Sequence, residues 1–360
     1  MNAPLISVHP IANSQAAPLP DVLGFGRHFT HRMFSQKFSP ELGWHSATIG
    51  AYQPIAMDPA SQIFHCGQAI FEGTKAYPRP DGQFNLFRVD QNAARFNRSA
   101  ARLSMPSVDA EFHIHAIGEL VKLEKAWMPY QPGSALYVRP VMIATDPTLE
   151  VRASKTFLHY IILSPVSPYF SADPKAVRVL ISHEFVRAVR GGTGEAKTTA
   201  NYAISLYAIE QARAQGYQQV LWLDALEQRY IEEVGAMNIA FVYDGKHIRT
   251  PSLSGSILPG ITRDSILRLA PDLGFSVSEE RIEVNDALRD IASGKITEVF
   301  AMGTAAVVVP VGTLAFKGHD YEVINGDAAP VANALYKGLT DIQYGHAPDP
   351  YGWTRILTVK

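Results

Sequence analysis

The chain has 360 residues, of which 47% are hydrophobic and 18% charged, and its formal net charge is −2. This composition is typical of a globular protein with enough apolar material for two domains, and it argues against a general binder of nucleic acid or anionic membranes. The single cysteine, Cys66, excludes an internal disulfide or a cysteine-cluster metal site, and the histidine spacing predicts no metal site. Residues 1–20 have no features of a secretory signal, so we expect a flexible lead-in and a cytoplasmic location.

Signals for strands and one helix follow in the first third of the chain. Pro78-Arg-Pro-Asp-Gly82 is a strong turn signal before a predicted strand at 83–88. Asp90 then occupies the N-cap position of a predicted helix over 91–103. Three arginines share one face of that helix: Arg95, Arg98 and Arg102. Such a stripe is typical of a solvated face, and phosphate binding by one of its members is the alternative.

A further strand is predicted at 135–144, where Tyr137 and Arg139 stand two apart and therefore on one face. Residues 164–174 contain three prolines and no periodicity, which is typical of a linker. The predicted organisation is a small N-terminal domain at 21–165, a linker at 166–175 and a large C-terminal domain at 176–360.

A glycine cluster at 191–194 delivers Lys197 between a predicted buried strand at 176–185 and a predicted amphipathic helix at 202–215. Glycines let the backbone turn sharply and leave room for a ligand. Lys197 fits three interpretations: a phosphate-cradling P-loop, with Ala196 where glycine is required; a lysine that condenses with the aldehyde of pyridoxal phosphate; or a solvated loop lysine. The pattern alone leaves all three open.

Two later segments also suit a ligand. Pro259-Gly260 turns the chain into a predicted helix whose first amides, at Ile261 and Thr262, would be available to an anion. An ordinary helix start after a turn is the alternative. Small residues at 303–306 end a predicted strand and would permit close approach of a ligand. Earlier in the chain, after Lys197, the dipeptide Asp244-Gly245 predicts a hairpin turn.

Six motifs along the chain resemble the branched-chain amino acid aminotransferases, which are pyridoxal-phosphate enzymes of fold type IV. In chain order they are Phe71-Glu72-Gly73-x-Lys75-Ala76-Tyr77, Leu136-Tyr137-x-Arg139-Pro140, Gly191-Gly192-Thr193-Gly194-x-x-Lys197-x-x-x-Asn201-Tyr202, Ile231-Glu232-Glu233-Val234-Gly235-x-Met237-Asn238, Leu258-Pro259-Gly260-Ile261-Thr262-Arg263 and Gly303-Thr304-Ala305. The likeness extends from about Gly24 to the C-terminus. It implies an α/β (α+β) fold with a small N-terminal α/β domain and a larger C-terminal pseudo-barrel domain that binds pyridoxal phosphate.

The resemblance implies a role for each cofactor-binding residue. Lys197 would form the Schiff base with pyridoxal phosphate and would move the proton between the substrate Cα and the cofactor. Glu233 would hold the pyridine nitrogen protonated, and Tyr202 would bind the phenolic oxygen of the ring. The phosphate would be held by Arg95, the amides of Ile261 and Thr262, and Thr304.

The same resemblance implies a substrate site. The walls of an apolar side-chain pocket would be Phe71, Tyr137 and Tyr169. Arg139 would accept the distal carboxylate of glutamate, and the Thr304-Ala305 turn would bind the α-carboxylate through its amides. Leu149 and Val151 would reach into the site of a partner subunit, which implies a homodimer.

The sequence departs from the family pattern at several positions. Cys66 stands where a tyrosine is common, Ala236 where threonine is usual, and Thr199-Ala200 where two glycines precede Asn-Tyr. Ala306 and Val309 occupy the places of the redox cysteine pair of some animal members. These departures bear on the substrate range more than on the reaction type.

The expected function is reversible, ping-pong amino transfer between L-leucine, L-isoleucine or L-valine and 2-oxoglutarate, with small-molecule substrates and neither a nucleic-acid nor a membrane partner. A D-amino-acid aminotransferase or an aminodeoxychorismate lyase would share Lys197 and Glu233. A P-loop phosphotransferase is the remote alternative. The Tyr137-x-Arg139 pair and the near full-length likeness favour the branched-chain enzyme.

Overall fold

A computed structural model of the chain describes residues 5–11, 19–168, 176–326 and 328–359. The strands of these residues are, in chain order, β1 Ser7–Val8, β2 Arg32–Ser39, β3 Gly43–Ala51, β4 Ala69–Phe71, β5 Thr74–Pro78, β6 Phe84–Phe87, β7 Ala135–Ala144, β8 Phe157–Val166, β9 Val177–Ile181, β10 Gln219–Leu223, β11 Ile231–Val234, β12 Met237–Tyr243, β13 His247–Pro251, β14 Ser276–Glu280, β15 Ile296–Gly303, β16 Val307–Phe316, β17 His319–Glu322 and β18 Thr354–Leu357. The helices are α1 Gln62–Cys66, α2 Val89–Arg102, α3 Ala110–Leu123, α4 Ala200–Ala203, α5 Leu206–Ala214, α6 Ile261–Leu269, α7 Val284–Ala292 and α8 Pro330–Gln343.

The chain divides into two compact units. The first unit comprises Met1–Tyr169, Ala196–Ala200 and Ile342–Lys360, and the second comprises Phe170–Glu195 and Asn201–Asp341. The short segment that carries Lys197 therefore belongs to the first unit, although both of its flanks belong to the second. The predicted linker at 166–175 lies mostly outside the described residues and stays a prediction.

The first unit is built on one sheet with the strand order β1-β3-β2-β8-β7-β5-β6-β18, and β4 pairs with β7. Neighbouring strands of this sheet run antiparallel, except for β1 and β3, which run parallel. Helices α2 and α3 bury their apolar stripes against the sheet, because residues such as Val89 and Ala93 of α2 and Ile117 of α3 share one core with Leu136 and Ile161 of the strands.

The second unit contains a closed ring of strands. The order β11-β10-β9-β16-β15-β12 closes on itself because β12 also pairs with β11. Closure into a barrel removes sheet edges, and alternate residues of each strand then face inward. In β10, Leu221 belongs to the barrel core whereas Trp222 packs with α5. The barrel confirms the pseudo-barrel expected for this part of the chain, and the two mixed α/β units confirm the predicted fold class.

Local turn signals were accurate, and helix boundaries were less so. Pro78–Gly82 joins β5 to β6, and Asp244 and Gly245 both have positive φ at the turn of the β12–β13 hairpin, as a type I′ turn requires. The N-cap prediction for Asp90 is wrong, because α2 starts at Val89, two residues earlier than predicted, and its N-cap is Arg88. The helix predicted at 202–215 is two helices, α4 and α5, with a break after Ala203.

A membrane-spanning helix is not found in the described part of the chain, where every helix is too short or too polar for that purpose.

A pair of buried imidazoles lies in the core of the first unit. The rings of His113 on α3 and His159 on β8 stack with centroids 5.1 Å apart, and Phe96 packs against both. Gln36 Nε2 donates a hydrogen bond to His159 Nδ1 at 3.0 Å. Burial lowers the pKa of His113 to about 4, against an opposing effect of the Glu72 charge, and burial together with His113 lowers the pKa of His159 well below its usual value.

We expect His113→Phe to make the protein more resistant to acid. A histidine whose pKa is lowered on folding takes up its proton in the unfolded state first, so its cost appears as pH falls from 6.5 toward 4 and is absent above 6.5. The cost amounts to about 3 kcal/mol at the lower end. Urea unfolding of both proteins at pH 7 and pH 4.5 measures it.

The exposed His115 on the same helix provides the control. His115→Phe should leave the loss of unfolding free energy between the two pH values unchanged. An equal acid loss in His113→Phe and the parent protein would contradict the assignment.

Candidate functional site

Main-chain hydrogen bonds fix Lys197 beside strand β4. The Phe71 amide donates to the Lys197 carbonyl at 3.0 Å, and the Lys197 amide donates to Ser99 Oγ on α2 at 2.9 Å. The next residue, Thr198, forms a bridge with Ile70 and donates its hydroxyl to the Ala69 carbonyl at 2.8 Å. The segment therefore behaves as a short extra strand on β4, and this pairing sets the place of the lysine side chain.

The Lys197 amine lies near an aromatic ring and a buried carboxylate. Its Nζ is 4.8 Å from the centroid of the Phe71 ring. Burial opposes ionisation of Glu72, but the charge and hydrogen bonds of Arg95, the Lys197 charge and the Asn92 hydrogen bond together lower the pKa of Glu72. The amine therefore lies in the field of a buried carboxylate whose pKa is lowered.

Arg95 meets this carboxylate in a two-point ion pair. Its Nε and one terminal nitrogen donate to the two Glu72 oxygens at 2.7 and 2.9 Å, and Asn92 donates to the same carboxylate at 2.8 Å. Arg95 is 3% exposed, whereas Arg98 and Arg102 lie on the surface. The predicted arginine stripe is therefore one buried, paired arginine and two solvated ones.

Tyr137 and Arg139 lie together on β7, as the strand alternation predicts. The guanidinium of Arg139 donates to the Tyr137 hydroxyl at 3.1 Å and lies 4.8 Å from the centroid of the Phe71 ring. Its buried Nε has no hydrogen-bond partner among the described residues. A Cβ at Gly73 would lie 1.9 Å from the Tyr137 hydroxyl, so only glycine leaves the tyrosine in this position.

Glu233, on strand β11 of the second unit, is a buried carboxylate held from two sides. Its Oε2 is 2.6 Å from a terminal nitrogen of Arg187, and its Oε1 accepts a hydrogen bond from Asn238 Nδ2 at 3.1 Å. The exposed fraction of Glu233 is 3%. A buried carboxylate with these donors is stable as an anion.

The start of α6 has no side-chain cap within the described residues. Gly260 is the N-cap, and within the described chain no side chain caps the first amides, which belong to Ile261 and Thr262. A Cβ at Gly260 would lie 2.0 Å from Asn238 Oδ1, so the turn admits only glycine. Thr304 follows β15 directly in a half-buried turn of small residues.

The other predicted residues are placed as follows. Tyr202 is half-buried on α4, and Ala305 lies in the turn after β15. Leu149 and Val151 are exposed by 71% and 96%. Tyr169 lies outside the described residues.

Sequence reasoning assigned no role to Ser99, Glu72, Arg187 or Asn238. The last three occur inside or beside quoted motifs, and Arg187 opens the stretch that leads into the glycine cluster. The available signal was a charged or amide side chain among apolar neighbours, which suggests a buried polar group. It could not identify the partners, because these are remote in sequence.

Comparisons with known proteins agree on one family. The family model described as amino-transferase class IV matches residues 69–314. The chain is 49% identical over 338 residues to "Branched-chain-amino-acid transaminase 1" of Bacillus subtilis, covering 94% of this chain and 95% of the relative. It is 46% identical over 352 residues to a probable branched-chain-amino-acid aminotransferase of Streptomyces coelicolor, covering 98% and 97%.

A solved structure is similar over nearly its whole length. The T.th. branched-chain amino acid aminotransferase with pyridoxamine 5'-phosphate superposes with a TM-score of 0.77 at 26% identity, covering 91% of this chain and 99% of the other.

Among the loop glycines, we expect Gly194→Ala to be the damaging change. A Cβ there would lie 2.1 Å from the Ser256 carbonyl oxygen, a main-chain atom that cannot move aside cheaply. The cost should be about 1–3 kcal/mol, seen as a lower midpoint of thermal unfolding.

Gly191→Asn is the matched control. Gly191 has φ +82°, a Cβ at this position would enter open space, and asparagine tolerates this backbone region better than other residues. Equal losses from the two substitutions would show that backbone conformation, rather than the contact with Ser256, decides the effect.

Proposed function

Because the chain belongs to the class IV aminotransferase family, we propose that it is a pyridoxal-phosphate enzyme that transfers amino groups between branched-chain amino acids and 2-oxoglutarate. The observation that carries the proposal is the fixed position of Lys197. Its main-chain carbonyl accepts a hydrogen bond from β4, and its main-chain amide donates one to α2. Family membership removes the phosphotransferase alternative. A P-loop enzyme also needs a carboxylate at the end of a strand as a metal ligand. Asp224, which follows β10, is the residue at such a place, and its carboxylate instead accepts the amides of Glu227, Arg229 and Tyr230.

The residues present suit pyridoxal phosphate. The α6 N-terminus offers uncapped amides for a phosphate, and Glu233 is a buried anion of the kind that pairs with a protonated ring nitrogen. Lys197 supplies the amine that the aldehyde requires. We assign the phosphate to Ile261, Thr262, Thr304 and Arg95, and the phenolic oxygen to Tyr202.

When bound, pyridoxal phosphate supplies an aldehyde for the amino group and a ring that withdraws electrons from the substrate Cα. Lys197 then acts as the base that takes the proton from Cα and returns it. Glu233 holds a proton at the ring nitrogen. Arg95 acts as a permanent cation, and its pairing with Glu72 fixes its direction.

Substrate side chains meet Phe71, Tyr137 and Arg139. The two rings provide an apolar surface for leucine, isoleucine or valine, and Arg139 provides a cation for the distal carboxylate of glutamate. The unpartnered Arg139 Nε, among the described residues, is a donor suited to that carboxylate. Tyr169 is assigned to the same pocket, and the Thr304-Ala305 amides are assigned to the α-carboxylate.

We also assign a homodimer. Leu149 and Val151 are apolar side chains on the loop between β7 and β8, with exposed fractions of 71% and 96%, and burial in a subunit contact would remove this apolar surface from water. In this assignment they contribute to the substrate site of the partner subunit. The cytoplasmic location remains a prediction.

We expect Lys197→Ala to abolish amino transfer while the unfolding temperature stays close to that of the parent protein, because the main-chain bonds around residue 197 do not need the side chain. The measurement is the visible absorption spectrum before and after L-leucine, and then after 2-oxoglutarate. In the parent protein the band should change with leucine and return with 2-oxoglutarate.

Lys155→Ala, at an exposed position, is the control and should behave like the parent protein. Turnover that survives in Lys197→Ala would refute the assigned role of the lysine. A parent protein whose spectrum does not respond to pyridoxal phosphate at all would refute the proposed function.

Arg139→Ala should weaken glutamate far more than leucine as amino donor. Loss of one charge-assisted contact to the distal carboxylate corresponds to roughly 10- to 100-fold in kcat/KM for glutamate. Steady-state kinetics with both donors measures the ratio. Tyr137→Phe, which removes only the hydroxyl that accepts from Arg139, should give a smaller effect in the same direction, and equal losses for both donors in Arg139→Ala would disprove the role.

A further inference from the structure

Arg187 lies at the centre of a buried polar cluster in the second unit. It follows β9 in the chain, its exposed fraction is 8%, and one terminal nitrogen lies 2.6 Å from Glu233 Oε2. The same nitrogen donates to the Ser256 carbonyl and, at 3.4 Å, to the Gly194 carbonyl. The arginine thus joins the carboxylate to two loops that approach it.

A second carboxylate, Glu232, lies next to this cluster, and its hydrogen-bond donors are hydroxyls rather than a guanidinium. The hydroxyl of Ser256 donates to Glu232 Oε1, and Ser254 does so at 3.5 Å. Its Oε2 has no partner in the described part of the chain. Burial raises the pKa of Glu232, although Ser256 and the charge of Arg187 act in the opposite direction. Two adjacent buried carboxylates therefore meet one guanidinium, and only Glu233 forms the direct ion pair.

We propose that Arg187 is a positioning residue: it keeps Glu233 charged and holds it in the orientation that also accepts the Asn238 amide. The proposal rests on the proposed function, in which Glu233 serves the cofactor's ring nitrogen. An arginine suits this task because it stays protonated at any pH at which the protein is folded and offers several fixed donors. Without it, a carboxylate with 3% exposure would have to take up a proton or draw in water.

The alternative is that Arg187 only ties loops together through the Ser256 and Gly194 carbonyls. The two roles differ in their dependence on Glu233 and on pH. If Arg187 only ties loops together, its substitution should lower the stability equally at every pH, and this loss should persist when Glu233 is made neutral. A charge partner should matter only while Glu233 is ionised.

The first experiment uses the protein freed of cofactor and measures the midpoint of thermal unfolding from pH 5 to pH 8. Arg187→Gln should lower the midpoint by roughly 10 °C at pH 8. The loss should shrink toward pH 5, because Glu233 then takes up a proton and no longer needs a partner. Arg187→Gln combined with Glu233→Gln should recover most of the loss, and Arg187→Lys should retain part of the parent midpoint.

Arg190→Gln is the matched control, since Arg190 is an exposed arginine three positions along the same loop. It should leave the midpoint and its pH dependence unchanged. A loss in Arg187→Gln that is independent of pH and persists in the double variant would overturn the proposal and leave the loop-tie role.

The second experiment titrates the cofactor-free proteins with pyridoxal phosphate and follows the absorption band as pH varies. Arg187→Gln should raise the dissociation constant about 10-fold or more and make the band change with pH where that of the parent protein is constant. Arg187→Lys should restore part of both. An unchanged band and affinity in Arg187→Gln would overturn the proposal.

Glu233→Gln separates this outcome from failure of the proposed function. If Glu233→Gln binds pyridoxal phosphate like the parent protein, the assigned role of Glu233 is wrong. The titration with pyridoxal phosphate then no longer tests the role of Arg187. The unfolding experiment on the cofactor-free protein still decides whether Arg187 keeps Glu233 charged.

Discussion

Each unit of this chain buries a carboxylate, and a buried carboxylate stays charged only if a cation and hydrogen-bond donors accompany it. Removal of such a group from water costs several kcal/mol when it is unpaired. In the first unit Arg95 and Asn92 surround Glu72, and in the second Arg187 and Asn238 surround Glu233. Both solutions combine one guanidinium with one side-chain amide, so each carboxylate depends on two side chains of its own unit.

This constraint explains why identical residue types have different fates on one helix. Arg95 is drawn into the core of the first unit because Glu72 lies there, whereas Arg98, one turn away, keeps its charge in water. The apolar stripe of α2 packs against the sheet, and Arg95 of the same helix forms the buried ion pair with Glu72. Burial of an arginine without its partner costs free energy, so the position of the helix depends on strand β4, which ends at Phe71 just before Glu72.

The sequence was a good guide to features decided by neighbouring residues. The Asp244-Gly245 turn needs positive φ at both positions, and the start of α6 after Gly260 follows from local turn chemistry. Features decided across long separations were not predictable. Ser99 accepts the amide of Lys197 from 98 positions away, and Arg187 meets the Ser256 carbonyl from 69 positions away. A pattern of periodicity carries no information on such pairs, so the resemblance supplied the proposed roles of Lys197 and Glu233 but not the residues that hold them in place.

The departures from the family pattern next to Lys197 acquire a physical meaning from this geometry. Thr199 lies in the turn between the segment that pairs with β4 and helix α4, where its amide donates to the Ala69 carbonyl at 3.3 Å, and a β-branched residue has less conformational freedom there than glycine. Ala200 opens α4, where alanine costs less than glycine by about 1 kcal/mol. Both residues follow Lys197, so the chain on the C-terminal side of the lysine has less conformational freedom than two glycines would give it. We therefore expect the substrate range to depend on the proposed pocket residues Phe71 and Arg139, rather than on movement of the lysine.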